Sequence, residues 1–315
     1  MRHLAYTVRT GLCSCTPGTR AGHQLKQRQL ELIPTGKARR SKSSSSGFLK
    51  WAGGKGQLVP ELLHWIPASV TNYYEPFVGS GALYFALRKS DLIDNACLSD
   101  TNEELINAYK QVKENVEALI RILSDHQTQH SKEYYYEIRS LSPDEMPSLE
   151  RAARMIYLNK TCFNGLYRVN KSGRFNVPIG SYKNPRIVDQ YRLREASKLL
   201  QHAKVQVRDF ESIVEDAEPG DFIYFDPPYI PLSTTSSFTS YTKAQFGEAE
   251  QRRLASQCDE LANRGIKWLL SNSDTPLTHA LWASHNIEIV KATRAINSNA
   301  SKRGQVTEVL ASSVC

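Results

Sequence analysis

Residues 223–232 read IYFDPPYIPL: an apolar run closes on a carboxylate, Asp226, followed by Pro227, Pro228 and Tyr229. Two prolines fix φ at successive positions, so the carboxylate, the neighbouring carbonyls and the ring have little freedom to turn. A planar exocyclic amine suits such a corner. Asp226 and the carbonyl of Pro227 each accept one hydrogen bond from the amine, and Tyr229 stacks on the ring that bears it. Two fixed acceptors turn the nitrogen lone pair out of conjugation and stabilise the positive charge gained when the nitrogen takes a methyl group. The same tetrapeptide also serves as a plain strand-end turn with a capping Asp and a packed Tyr, so the chemistry needs support from the rest of the chain.

A second group lies upstream. In NYYEPFVGSGALYFAL (72–87) a strand ends at Glu75-Pro76 and a helix starts after Gly79-Ser80-Gly81, the opening of a nucleotide-binding βα unit. Asp100 closes a further short strand about 20 residues on, the spacing of an acid that accepts hydrogen bonds from a ribose diol. A dinucleotide dehydrogenase is disfavoured, because the third glycine of its fingerprint is absent after Gly79 and Gly81. Gly53-Gly54-Lys55-Gly56 precedes an apolar helix-like run and brings backbone N–H groups toward an anionic ligand, without the spacing of a phosphate-binding P-loop.

The elements that must position these residues follow from periodicity. Leu105, Ile106, Tyr109, Val112, Val116, Leu119 and Leu123 recur at helical spacing and predict one amphipathic helix over 103–124. Helices are expected at 148–159, 189–201 and 247–263, with strands at 205–208, 221–226, 266–271, 287–292 and 305–312. Alternating strands and helices argue an open, mainly parallel α/β sheet with ligands beyond the carboxyl ends of its strands, where Asp100 and Asp226 fall. Between 160 and 188 the pattern dissolves into Asn, Gly, Lys, Arg and aromatics. The polar stretch 233–242 reads as a loop that closes over a base or DNA, or as plain solvated loop.

The net charge of +8 at pH 7 is concentrated. Residues 1–47 hold nine basic residues and one acid, whereas Lys160 to Arg208 hold eleven basic residues and two acids. The first stretch has the composition of a disordered arm, and also that of a transit peptide. The second is an electrostatic footprint for nucleic acid or a solvated basic face. No apolar run approaches the roughly 20 residues of a membrane helix. Six cysteines without paired spacing argue a reducing compartment and no structural metal.

In order, FLKWAGGK (48–55), EPFVGSG (75–81), SDTNEELINAY (99–109), CFNGLYR (162–168) with GRFNVPIGSY (173–182), and DPPY (226–229) resemble the Dam-like DNA adenine-N6 methyltransferases, the alpha class of amino-methyltransferases. The resemblance spans about residues 47–311. It implies a Rossmann-like S-adenosylmethionine-binding sheet with an inserted, mainly helical target-recognition domain: 48–100 and 203–315 catalytic, 101–202 the insert, and 1–47 a disordered basic extension. S-adenosylmethionine as methyl donor, S-adenosylhomocysteine as product, no metal, double-stranded DNA as partner, no membrane, a monomer and a cytoplasmic location follow from it, with GATC as the target. By position, Trp51, Lys55, Asp100 and Asp226 become cofactor-site residues, with Phe77, Gly79 and Gly81 as the wall beside the methionine moiety. Lys50, Phe163, Asn164, Leu166, Arg168 and Tyr182 face DNA, and Asp226, Pro227, Pro228 and Tyr229 hold a flipped adenine. Phe163 departs from the Tyr carried by close members, keeping an aromatic face without a hydroxyl. Cytosine-N4, ribosomal RNA adenine and protein-glutamine methyltransferases differ by Ser or Asn at the first position of the DPPY motif, and a non-catalytic DNA-binding relative by erosion of that motif.

Overall fold

In a computed structural model of the chain the described residues are 47–231, 246–293 and 305–313. The basic arm up to residue 46 and the loop 233–242 lie outside them. Strands β1 (Asn72–Glu75), β2 (Asn95–Asp100), β3 (Ala203–Val207), β4 (Phe222–Phe225), β5 (Lys267–Ser273), β6 (Asn286–Thr293) and β7 (Gln305–Ser312) form one sheet in the order β3-β2-β1-β4-β5-β7-β6. The first five run parallel, and β7 pairs antiparallel with both β5 and β6. The strand order reverses beside β1 and β4, the place where an open sheet of this kind receives its ligand.

Both faces of the sheet are buried, and the pleat sorts side chains between them by parity. Tyr73, Ala96, Leu98, Phe222, Tyr224, Leu269 and Leu310 point into one core. Tyr74, Cys97, Ile223, Phe225, Trp268, Leu270, Val309 and Ala311 point into the other. The same alternation assigns Glu75, Asp100, Asp226, Ser271 and Glu308 to the first face, so polar residues on five different segments converge there. Register adds depth: Glu75 pairs with Leu98, which carries β2 two residues past β1 and sets Asp100 at the rim.

On that first face pack α1 (Val59–Leu62), α2 (Ala82–Lys89), α3 (Glu103–Glu114), α4 (Val116–Gln129), α5 (Lys132–Ser140), α6 (Ser148–Thr161) and α7 (Gln190–Leu200). Apolar residues of α3 to α7 share one core with the strands. The opposite face is covered by α8 (Phe210–Asp216), α9 (Glu248–Asn263) and α10 (Pro276–Leu281).

The helix expected over 103–124 is two helices, divided at Asn115, whose φ of −132° and ψ of 34° leave the helical region. The apolar period runs on through the break, so hydrophobic spacing alone does not disclose it. After Lys55 the helix-like run is only the one-turn α1, with Pro60 in its first turn, and a following 3-10 turn. Helices α5, α8 and α10 were not expected; each is short, at nine, seven and six residues, too brief for a periodic signal. Cys97, Cys162 and Cys258 are buried free thiols, and burial pushes Cys162 up to about 12, far from a reactive thiolate.

Candidate active site and recognition segment

Asp226 sits one residue beyond β4, and its carboxylate is fixed from two sides. The Lys55 ammonium lies 2.8 Å from Oδ1, and the Ser271 hydroxyl donates to the same oxygen at 3.0 Å. Ser271 and the Tyr224 hydroxyl are 2.9 Å apart, extending the chain inward. Lys55 is almost fully buried; it donates to the Gly53 carbonyl at 2.6 Å and lies over the Tyr229 ring, 4.4 Å from its centroid. Burial pushes the Asp226 carboxyl above its ordinary range, against the pull of Lys55 and Ser271.

The residues after Asp226 are held as firmly. The Pro228 carbonyl accepts from Gln251 Nε2 at 2.8 Å, and Ile230 N–H donates to Asn272 Oδ1 at 3.0 Å. Asn272 Nδ2 in turn donates to Gln251 Oε1 at 3.0 Å, so one buried amide pair clamps both sides of Tyr229. The Tyr229 hydroxyl donates to Glu308 Oε2 at 2.7 Å. Pro227 is buried between these anchors.

Beside this corner lie the segments that follow β1 and β2. Gly79 has a φ of +46°, and a Cβ there would stand 2.8 Å from Trp51 Cδ1; a Cβ on Gly81 would meet the Tyr109 hydroxyl at 2.8 Å. Bare backbone is therefore required on this wall. Asp100 Oδ1 accepts from Asn102 N–H at 2.9 Å, and burial pushes the carboxyl up to about 6, against the backbone N–H groups of Asn102, Gly79 and Thr101. Phe77 stands apart from Trp51: it packs into the second core against Phe210 and Phe246, with centroids 5.7 and 5.5 Å away. The carboxyl of Glu75, inward of Asp226, accepts from the Tyr73 hydroxyl at 2.9 Å; burial pushes it up to about 8, opposed by that hydrogen bond and reinforced by the charge of Asp226.

The recognition segment follows α6. Asn159 grips the backbone of Lys50 from both sides: Lys50 N–H donates to its Oδ1 at 2.9 Å, and its Nδ2 donates to the carbonyls of Lys50 and Gly165, at 2.6 and 3.0 Å. Gly165, at φ +64°, leaves no room for a Cβ, which would fall 2.6 Å from Lys50 Cβ. Asn164 takes the left-handed conformation at φ 55°. From Val169 to Phe175 the chain doubles back as a tight hairpin capped by Asn170, whose side chain accepts from the N–H groups of Ser172 and Arg174. Phe163 and Tyr182 are 43% and 37% exposed, large values for aromatic rings. Arg168 is exposed, with Nε donating to Asn176 Oδ1 at 2.7 Å, and the Lys50 ammonium lies 4.1 Å from the Tyr182 centroid. Leu166, like Tyr167, packs against the main core rather than standing exposed. Burial pulls the Lys160 ammonium down to about 8, with Arg192 and Lys50 adding to the effect.

The structure thus brings Lys55, Asp226 and Tyr229 into direct contact, sets Trp51 against Gly79, and places Lys50 with Tyr182 and Gly165. Sequence reasoning missed Ser271, Gln251, Asn272, Glu308 and Asn159. Ser271 and Glu308 had a signal in strand parity, since both interrupt apolar alternation on the inward face. Gln251, on a helix, and Asn159 had none.

The profile of the D12 class N6 adenine-specific DNA methyltransferases matches residues 51–296. The chain is 45% identical over 269 residues to the type II methyltransferase M1.LlaDCHI of Lactococcus lactis subsp. cremoris, covering 84% of this chain and 93% of that protein. It is 43% identical over 272 residues to the type II methyltransferase M.MjaIII of Methanocaldococcus jannaschii, covering 81% and 94%. To a DNA adenine methylase of Vibrio cholerae it is 37% identical over 272 residues, covering 84% and 94%. The rRNA methyltransferase aviRa from Streptomyces viridochromogenes aligns at a TM-score of 0.31 and 14% identity, covering 97% of this chain and 88% of that one, a slight likeness.

Proposed function

The chain belongs to the D12 class N6 adenine-specific DNA methyltransferases, and from that membership we propose that it methylates N6 of the adenine in double-stranded GATC after that adenine has swung out of the stack. The observation that carries this reading is the corner after β4, where Asp226 is fixed by Lys55 and Ser271 while Gln251 and Asn272 hold the chain on either side of Tyr229. Such a corner needs no reorganisation as charge develops on the amine.

The residues beside it fit S-adenosylmethionine. Gly79 and Gly81 present backbone where a Cβ would strike Trp51 or Tyr109, and the raised Asp100 carboxyl is relieved by the hydroxyl donors of a ribose. When bound, S-adenosylmethionine supplies a methyl group activated on its sulfonium. Asp100 holds the ribose, and Trp51, Gly79 and Gly81 wall the methionine side. Phe77, packed on Phe210, contributes an apolar edge. Asp226 and the Pro227 carbonyl accept the two N–H bonds of the target amine, direct its lone pair toward the donor and stabilise the positive charge that N6 acquires. With Lys55 on one face of Tyr229, the base stacks on the other.

Arg168, within the helical and basic insert 101–202, and Lys50, which Asn159 ties to it, suit the O6 and N7 acceptors of guanine, and Phe163, Asn164 and Tyr182 lie on the same segment as Arg168. The order of bases rests on the likeness of residues 162–182 to GATC-reading members. Extruding the base costs a few kcal/mol. The test is single-molecule mapping of methyladenine on an unmethylated plasmid. Methyladenine is expected at GATC on both strands with the wild type and nowhere with Asp226→Asn. Methylation centred on another motif refutes the target, and an active Asp226→Asn refutes the corner.

A further inference from the structure

The geometry points to Glu308 as a positioning residue that anchors the hydroxyl end of the Tyr229 ring and so places the ring for the base. The inference rests on reading residues 226–229 as the amine-holding corner. Glu308 belongs to none of the motifs and lies on β7, the antiparallel strand, opposite Ser273 at the carboxyl end of β5. That pairing, together with the inward parity of its position, aims the carboxylate into the corner from the side away from Asp226's own strand.

Tyr229 needs such an anchor. Pro227 and Pro228 fix the backbone leading to it, and Gln251 and Asn272 tie the backbone on either side, but none of these limits the swing of the ring about Cα–Cβ. Two contacts do. The Lys55 ammonium lies on the ring face at 4.4 Å, and the hydroxyl donates to Glu308 Oε2 at 2.7 Å. A hydrogen bond to a carboxylate is about twice as strong as a neutral one. The same ammonium pairs with Asp226 at 2.8 Å, so carboxylate, ammonium, ring and second carboxylate form one chain from β4 to β7. Burial pushes the Tyr229 phenol well above its ordinary range, with the charges of Asp226 and Glu308 adding, which keeps the hydroxyl protonated as a donor. Without Glu308 the hydroxyl end of the ring loses its anchor and the ring swings about Cα–Cβ, with Lys55 still on its face. A base stacked on it then drifts from Asp226 and Pro227, and a displacement of about 1 Å in such a geometry costs on the order of 100-fold in rate.

The expected signature is a loss in kcat with little change in the affinity for the methyl donor. Steady-state transfer of labelled methyl groups from S-adenosylmethionine to a GATC duplex is measured with the full chain and its Glu308→Ala, Glu308→Gln and Tyr229→Phe variants. Glu308→Ala is expected to lower kcat about tenfold or more, with KM for S-adenosylmethionine within about twofold of wild type. Glu308→Gln, whose amide oxygen still accepts from the phenol, restores most of the rate. Tyr229→Phe matches Glu308→Ala, and adding Glu308→Ala to Tyr229→Phe causes no further loss, because the two changes remove one interaction. A Glu308→Ala enzyme at wild-type kcat overturns the inference, as does an undiminished loss in the Tyr229→Phe background, which would mean that Glu308 acts by its charge alone. Should thermal melting show Glu308→Ala unfolded, Tyr229→Phe decides, and a wild-type kcat for it overturns the inference equally. Asp226→Asn separates the two levels: if it too stays active, the corner reading has failed; if it is inactive while Glu308→Ala and Tyr229→Phe are unaffected, only the role of Glu308 has failed.

Discussion

The corner after β4 and the recognition segment after α6 are both rich in polar and aromatic residues, yet they are built in opposite ways. Every group around Asp226 is tied down inside the protein: Lys55 and Ser271 on the carboxylate, Gln251 and Asn272 on the backbone, Glu308 on the ring. In the recognition segment it is the backbone that is tied, through Asn159 and the Asn170 turn, while Phe163, Arg168 and Tyr182 project outward. Arg168 holds the side chain of Asn176, an exposed contact that a base edge can replace. Chemistry at an amine requires charges fixed before the reaction. Reading a base requires side chains whose bonds are exchanged on binding rather than made anew.

This contrast breaks if one residue governs both properties. Asp226→Asn is expected to lower kcat by about 1,000-fold or more, from the loss of one charged acceptor at the reacting nitrogen, while leaving DNA affinity and site preference as in wild type. Single-turnover transfer and competition binding measure the two separately, and a shift in site preference would join the regions. Arg168→Ala is expected to do the reverse, costing about 1 to 3 kcal/mol of discrimination at one outer base pair while methylation of the cognate site persists. Transfer to duplexes substituted at that pair checks it; unchanged discrimination would remove Arg168 from the reading surface.

Asp100→Asn probes the catalytic side at smaller amplitude. Folded Asp100 titrates near 6 against an ordinary 3.8, so its ionised form carries an unfavourable burial that grows as pH rises from about 4 to 6 and is complete above. The variant is therefore expected to melt higher than wild type at pH 7 and to match it more closely at pH 4. Its affinity for S-adenosylmethionine is expected to fall about tenfold, the worth of a hydrogen bond to a charged group. In the wild type that affinity weakens as pH drops through about 6 and Asp100 takes a proton; in Asp100→Asn calorimetry should find no such step.

Much of this was legible in the sequence, for identifiable reasons. Asp100 and Asp226 close apolar runs, and a strand that ends on an acid puts it at the ligand-binding rim. Gly79 and Gly81 marked the turn that opens a βα unit, and the structure shows what a side chain there would strike, Trp51 and Tyr109. The break at Asn115 stayed hidden because the apolar period continues across it. The inward parity of Glu308 was visible in its strand, but its meeting with Tyr229 was not, because that depends on an antiparallel pairing of strands more than 30 residues apart in sequence, which no local pattern encodes. Asn159 looked like one more polar residue near the end of a helix, although it joins Lys50 to Gly165.

Glu75→Gln is the mildest change and sharpens the contrast most finely, because Glu75 lies on the catalytic side yet is shielded from substrate beneath Asp226. Its folded carboxyl titrates near 8, raised chiefly by burial, against an ordinary 4.5. Between those values the unfolded chain has released the proton that the folded chain retains. The folded state then binds more protons, so the contribution of Glu75 to stability falls as pH rises through this window and levels off above about 8. Gln resembles the protonated acid in shape, accepts from the Tyr73 hydroxyl as Glu75 does, and cannot ionise. Thermal midpoints of the two proteins are expected to coincide near pH 5 and to separate steadily up to pH 8, with Glu75→Gln the more stable, and then to run parallel. kcat at pH 7 should be close to wild type, since most of Glu75 is already uncharged there. A constant difference across the whole range would place the titration elsewhere, and a large loss of kcat at pH 7 would mean that the fixed polar groups supporting Asp226 extend one residue deeper, to Glu75 itself.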